Sequence, residues 1–405
     1  MACVEIEERI LEDWGTLKDR LGVELEEIYN YLDQIELKEE GFVNPDEENL
    51  IQAVLFCSWL DPTVLLEFFR PAYPYFAYIK ERLVSRTRFL SFLCLSRSNT
   101  IAEAYRKLTP DGFQLLGFDS KPTYELLREF VNERLGAYRF SEFLDALISQ
   151  IREMLFHEGI ELGKRDGQDA SDEPSLKHDP EAKYSGYYKE YGYKFDVVHD
   201  LDQETLPLYY VPMEITEDEG ADLVPAQEHL RSLEMEPAEW KVDGKYATYE
   251  NIAKSEVEGT HLVYKVQRGW VYNPKGDTNE IMRLYQKCWK EENFKVDADM
   301  DYMLRSLLDH GESEAVGAYF RNVQMKRAEH EAKEIAEECG ERSGKTEGFI
   351  GVAKKETILG RRLPRRGAKT FTWVLGIAMM TFAFAALIRL QNGVFDHLGN
   401  LTYIT

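Results

Sequence analysis

Cysteine is scarce in this chain: five residues in 405 (Cys3, Cys57, Cys94, Cys288, Cys339), scattered and without a CxxC pair. That spacing excludes a disulfide framework or a thiolate zinc site and reads as reduced thiols in a cytosolic protein. Positive charge is also short, with 49 Lys and Arg against 73 Asp and Glu and a formal net charge of −24. Bulk acidity of that size counts against a non-specific grip on nucleic acid, although local basic clusters make such contacts. His178, His199 and His261 stand alone, with no metal-ligand spacing between them. The opening MACVEIEERILEDW lacks the basic and apolar regions of a secretory leader, so none is expected. No helix-turn-helix signature names a recognition helix.

What is present is a globular composition, 44% apolar and 30% charged, long enough for two or three domains. Residues 1–156 read as helical. The apolar segment 46–69 ends at Pro71, and Thr100-Ile101-Ala102-Glu103 has the form of a capping box. Pro122 and Gly136 bracket a further helix, and Phe143, Leu144, Leu147, Ile148, Ile151 and Leu155 recur at helical spacing as a core-facing stripe. Among these helices lie Arg70, Lys80, Arg82, Arg86, Arg88, Arg97, Arg106 and Lys107. They are either phosphate-gripping cations or a solvated helix face.

From Lys164 to Glu181 the composition turns to Asp, Ser, Gly, Lys and Pro, and then the period changes from helical to alternating. Residues 193–200 alternate with period two, and residues 206–213 are rich in strand formers, with Asp202-Gln203-Glu204 between them. A helix from Pro225 to Leu233, a strand ending at Asp243, a helix from Tyr249 and a strand from His261 follow, giving α/β with one mixed sheet. The run Glu239 to Ile252 presents an acid, Asp243, then Gly244, then a helix capped by Thr248. In α/β sheets this arrangement sets a carboxylate at the carboxyl edge.

The block GQDASDEPSLKHDPEAKYSGYYKEYGYKFDVVHDLDQETLPLYYVPMEITEDEGADL, followed by VDGKYATYENI, resembles the catalytic core of DDE transposases from bacterial and archaeal insertion sequences. The likeness runs in order over about residues 40–390, and the block over 160–260 is its specific part. It implies a ribonuclease H-like mixed sheet flanked by helices, preceded by an all-α N-terminal domain, with three carboxylates holding two Mg²⁺ or Mn²⁺ ions. The first acid would be Asp169, with Asp166 and Asp172 close by, and the second Asp243. The third sits, in the family, within a pattern of tyrosine, arginine, glutamate and lysine. Glu347 and Lys354 keep the six-residue gap, whereas Arg342 stands one residue too far, position 343 is Ser343 and no tyrosine precedes it. Glu341 and Glu338 are the alternatives for that role. A spacing of seven sets Glu347 and Lys354 on one helical face.

The implied domains are 1–156, a DNA-end-binding helical part; 157–266, the first part of the catalytic core; 267–335, an inserted helical region; 336–390, helices completing the core; and 391–405, a tail. The implied partners are terminal inverted repeats and target DNA, bound by a homodimer that is cytoplasmic and nucleoid-associated. Lys354, Lys355, Arg361, Arg362, Arg365 and Arg366, with Arg82, Arg86 and Arg88, are the expected DNA contacts. In the insertion, Trp270, Tyr272, Tyr319, Arg321, Lys326 and Arg327 either touch DNA or belong to a solvated excursion. Carboxylates suit the chemistry because hard divalent ions take oxygen ligands, and two ions can clamp both oxygens of an in-line displacement.

Phe371 to Ile388 is an uncharged run behind a basic flank, long enough for a membrane span and equally suited to a buried core helix. The resemblance favours the core helix, with no membrane. A tail-anchored membrane protein and a catalytically inactive domesticated DNA-binding protein are the alternative readings.

Overall fold

The structure is a computed structural model that describes residues 45–176, 178–187, 189–203, 206–266, 270, 296, 298–360, 363–395, 398–399 and 401. Tyr272, Arg361 and Arg362 lie outside the described residues, as does most of the segment between 267 and 297. The chain divides into two compact units. One is helical, built from the chain up to Ile160, Ser175–Glu181 and Val352 onward; the other carries the sheet, from Glu161–Pro174 and Ala182–Gly351.

In the helical unit, α1 (Pro45–Ser58) is followed by a 3-10 stretch over Thr63–Ala72. Asp61 and Pro62 therefore break the apolar run earlier than Pro71, and Pro71 itself sits inside the 3-10 stretch. The helices α2 (Phe76–Leu95), α3 (Ile101–Lys107), α4 (Pro110–Leu115), α5 (Tyr124–Glu129) and α6 (Phe140–His157) complete the N-terminal part. The N-cap at Thr100 is formed, while the reciprocal bond of the box goes to the residue before the cap. Thr100 Oγ1 accepts from Glu103 N at 3.1 Å, and the Glu103 carboxylate reaches back to Asn99 N at 2.9 Å. The stripe of α6 is buried, with Phe143 ringed by Phe68, Phe69 and Phe384.

Phe384 belongs to α12 (Ala368–Gln391), the apolar run read from the sequence. It is apolar on all sides and buried against α6 and α2, with 89% of its apolar window inside the protein. Its first turn follows Gly367, whose φ of +103° suits glycine. Gly367 N donates to Asp179 Oδ2 and Ala368 N to Glu181 Oε2, each at 2.9 Å. The Ser175–Glu181 segment thus places two carboxylates on the free amides of α12, where the helix dipole favours them.

The sheet unit contains β1 (Arg165–Pro174), β2 (Lys183–Ser185), β3 (Glu190–Asp200), β4 (Pro207–Glu214), β5 (Glu239–Val242) and β6 (His261–Tyr264). The order is β2-β3-β1-β5-β6, with β4 also on β3. β1, β3 and β4 are antiparallel neighbours, while β1, β5 and β6 run parallel. The helices α7 (Leu223–Ser232) and α8 (Tyr249–Val257) form the crossovers that parallel pairing demands. The helices α9 (Ala298–Asp309), α10 (Ser313–His330) and α11 (Ala332–Glu356) follow. A Cβ at Gly317 of α10 would lie 1.9 Å from Tyr249 O, so glycine there lets α10 cross the first turn of α8. The division between the units falls within α11, after Gly351.

Candidate active site at the carboxyl edge of the sheet

β1 carries no large apolar side chain in RDGQDASDEP, yet it is the central strand, held between β3 and β5. The chain leaves β1 for β3 and β4 on one side and returns to β5 on the other. The gap between β1 and β5 is therefore the point where the strand order reverses, and α/β sheets bind ligands at the carboxyl ends beside such a point. The parallel register pairs Asp166 with Trp240 and Gly167 with Lys241. Carried two residues further, the same register sets Asp169 level with Asp243, on strands about 5 Å apart. The Asp169 side chain shares the face of Gly167, because alternate residues of a strand point the same way.

Asp169 lies within β1, five residues before its end, and Asp243 is the first residue beyond β5. Asp169 Oδ1 accepts from Ala170 N at 3.0 Å. Asp243 Oδ1 accepts from Gly244 N at 2.7 Å, and its carbonyl accepts from Tyr246 N at 3.0 Å, which closes the turn. Thr248 caps α8 as its sequence indicated, Oγ1 accepting from Asn251 N at 3.2 Å.

The helix α11 crosses the face of β1 that bears Asp169. A Cβ at Gly167 would meet Thr346 Oγ1 at 2.5 Å and His199 Nε2 at 2.8 Å, so glycine admits the helix. Phe349 stacks on His199 with ring centroids 5.0 Å apart, and Lys345 Nζ donates to Leu201 O at 2.7 Å. Glu347 follows Thr346 directly and is exposed on the flank of this contact. The side chains of Glu338 and Glu341 lie outside the described residues. Two carboxylates level at a sheet edge suit a hard divalent ion by donor type. Among the described residues no three His, Cys, Asp or Glu side chains group to hold one.

Behind the pair, on the opposite face of β1, lies a buried network that the sequence did not reveal. Trp240 Nε1 donates to Gln168 Oε1 at 2.9 Å and Gln168 Nε2 to Asp196 Oδ2 at 2.8 Å, while Tyr246 OH donates to Asp196 Oδ1 at 2.9 Å. Burial pushes the Asp196 carboxyl well above the usual range, and the charges of Asp222 and Asp169 add to the effect. Asp166, fully buried beside Asp200, is also pushed well up, first by burial and then by Asp200 and Asp202. Its two oxygens have no hydrogen-bond partner among the described residues. Burial lowers His199 to about 4, so its ring is neutral at pH 7. Asp172, the other alternative for the first acid, stands opposite Lys194 in the antiparallel register.

The expected DNA contacts divide by surroundings. Arg82, Arg365 and Arg366 are exposed. Arg86 donates to Tyr73 OH at 3.2 Å, Arg88 is turned onto Leu60 O at 2.8 Å, and Lys355 pairs with Glu356 at 2.9 Å. Lys354 is half-buried, its backbone packed under Gly360. Arg365 and Lys369 line a polar cleft of about 480 Å³ with Trp373, Tyr124 and Arg128. In the insertion, Arg321 lies 3.7 Å from the Trp270 ring centroid and 5.0 Å from that of Tyr249. Tyr319 is buried, and Lys326 and Arg327 pair with Glu329 and Glu331. Comparison with protein-family models, characterised proteins and solved structures finds no match to this chain.

Proposed function

We propose that the chain is a DDE-type transposase with a ribonuclease H-like core, cutting DNA at the ends of an insertion sequence and joining the 3′-hydroxyl to target DNA. The observation that carries the reading is that Asp169 on β1 and Asp243, directly after the parallel neighbour β5, flank the point where the strand order reverses. The mixed sheet, antiparallel on one side of β1 and parallel on the other, supports the ribonuclease H-like core.

Asp169 and Asp243, with Glu347 as the third carboxylate, would hold two Mg²⁺ or Mn²⁺ ions, which when bound offset phosphate charge and ease deprotonation of the attacking hydroxyl. The chain's own part is placement. Asp243 is fixed by its turn, Asp169 by a central strand, and Glu347 rides a helix clamped at Gly167, His199 and Leu201. Arg82, Arg365 and Arg366 are exposed cations that would meet phosphates of the terminal repeats. A homodimer on the two element ends and a cytoplasmic, nucleoid-associated location follow from this reading.

The second reading, a DNA-binding protein that does not cut, draws on the lack, among the described residues, of a group of three metal-holding side chains. The test is strand cleavage of DNA carrying the native element ends, with and without Mg²⁺ or Mn²⁺. Metal-dependent nicking and strand transfer support the transposase. End binding without nicking selects the second reading.

A further inference from the structure

Pairing of β3 with β1 ends at Pro174 opposite Gly192, and pairing with β4 ends at Glu214 opposite Tyr193. Beyond that line β3 is joined, among the described residues, to β2 alone, so residues 183–187 and 189–192 leave the sheet as a two-stranded arm. At its base a Cβ on Gly192 would stand 2.5 Å from Glu173 O, which only glycine avoids. Tyr184, Tyr187 and Tyr191 on this arm are 49%, 77% and 61% exposed. Ten large apolar residues are exposed among the described ones, and these three fall within eight positions, so scatter does not account for them.

Tyr184 and Tyr191 are cross-strand partners with ring centroids 5.2 Å apart. Tyr187, at the tip, lies under the Lys245 ammonium at 5.0 Å. Lys245 is the second residue after Asp243, so the tip rests beside the turn that holds the second acid.

The arm holds two lysines and one glutamate, and a neighbouring strand offsets the excess. Lys183 pairs with Glu214 at 2.5 Å and Lys245 with Glu219 at 3.0 Å, and Lys189 sits next to Glu190. A surface built to grip duplex phosphates would carry an excess of cations. An arm with three exposed rings and a single excess charge instead suits the flat faces of bases, and those are open only where the strand is unpaired. Tyrosine serves this well, having two side-chain torsions to lose and a ring that accepts any base.

We propose that the Tyr184, Tyr187 and Tyr191 arm is a stacking platform for unpaired bases of a DNA strand running to Asp243. The identity of the polymer as DNA rests on the transposase reading.

The test uses the full chain and fluorescence anisotropy with a ~15-nucleotide oligothymidine and a duplex of equal length, over roughly 50–200 mM salt. Tyr187→Ala, and the double variant Tyr184→Ala with Tyr191→Ala, are each expected to weaken single-strand binding about tenfold. The dependence on salt should not change, because no phosphate contact is removed, and Tyr187→Trp should bind as well as the parent. Duplex binding should be unaltered.

No single-strand affinity in the parent protein, or unchanged affinity in both variants, overturns the platform. So does an equal loss on duplex with a shallower salt dependence, which would mark a phosphate grip. Altered self-association in sedimentation with unaltered DNA binding would make the arm a subunit contact and overturn it too. A protein that binds single strands through these tyrosines yet never cuts keeps the platform and loses the cleavage reading. One that cuts while both variants bind normally loses the platform alone.

Discussion

Replacing Gly167 with alanine tests whether α11 is seated on the sheet as described. The added methyl would stand 2.5 Å from Thr346 Oγ1, 2.8 Å from His199 Nε2 and 3.1 Å from Leu201 Cδ2. All three side chains are buried, so none can swing into water. Overpacking of this kind costs about 1–3 kcal/mol, or roughly 4–8 °C in the midpoint of a unit this size if the cost is about 2 kcal/mol. The nearest obstacle is a buried hydroxyl with no hydrogen-bond partner among the described residues, so Thr346→Ala alone should be close to neutral. The double variant should then recover about half of the loss, a coupling of about 1 kcal/mol between residues 179 positions apart. Thermal and urea unfolding of the four proteins measure this cycle. Gly167→Ala as stable as the parent, or a double variant that is simply additive, would refute the seating of α11 on β1.

Asp169→Ala and Asp243→Ala should each abolish metal-dependent nicking while leaving end binding intact, and Asp172→Ala should leave both intact; gel assays on cognate ends read both properties. Glu347→Ala should also abolish nicking, and full cleavage by that variant would move the third ligand to Glu341 or Glu338. His199 is lowered to about 4 in the folded protein against 6.5. Its contribution to stability is therefore complete above pH 6.5 and is lost as the pH falls to 4, by up to about 3 kcal/mol. His199→Gln should flatten that part of a urea-unfolding series. Asp166 has the opposite sign, since a carboxyl raised on folding favours the folded state at low pH and costs stability as the pH rises above about 4. Asp166→Asn should accordingly be more stable than the parent at pH 7 and lose that advantage by pH 4.

Caps and alternating strands were legible because they depend on neighbours in sequence. Thr100, Thr248 and the period over Tyr193–Asp200 were read directly and stand as read. β1 offered no such signal, since RDGQDASDEP has neither an apolar period nor strand formers. It is a strand because β3 and β5 supply Phe195, Val197 and Trp240 around it, and only the resemblance pointed to Asp169. Asp196 was hidden for a related reason. In an alternating strand an acid reads as solvent-facing, but both faces of β3 are covered, and the acid finds Gln168 and Tyr246 instead. Nothing local marks Gly167 as a helix seat, because its partners Thr346 and His199 come from elsewhere in the chain. The run 371–388 suits lipid and core equally by composition, and its packing on Phe143 depends on residues far away in sequence.

The path of the chain through its two units has a consequence for how the protein is made. The backbone passes from one unit to the other after Ile160, Pro174, Glu181 and Gly351. The helical unit receives its longest buried helix, α12, only after the whole sheet unit has left the ribosome. Until then the stripe of α6 and the ring of Phe143 lack their partner, while Asp179 and Glu181 wait for the amides they cap. A fragment stopping at residue 160 would therefore expose a large apolar face, and separate expression of the halves would yield aggregates. The order of synthesis therefore delays folding of the helical unit until the segment that carries α12 has been made.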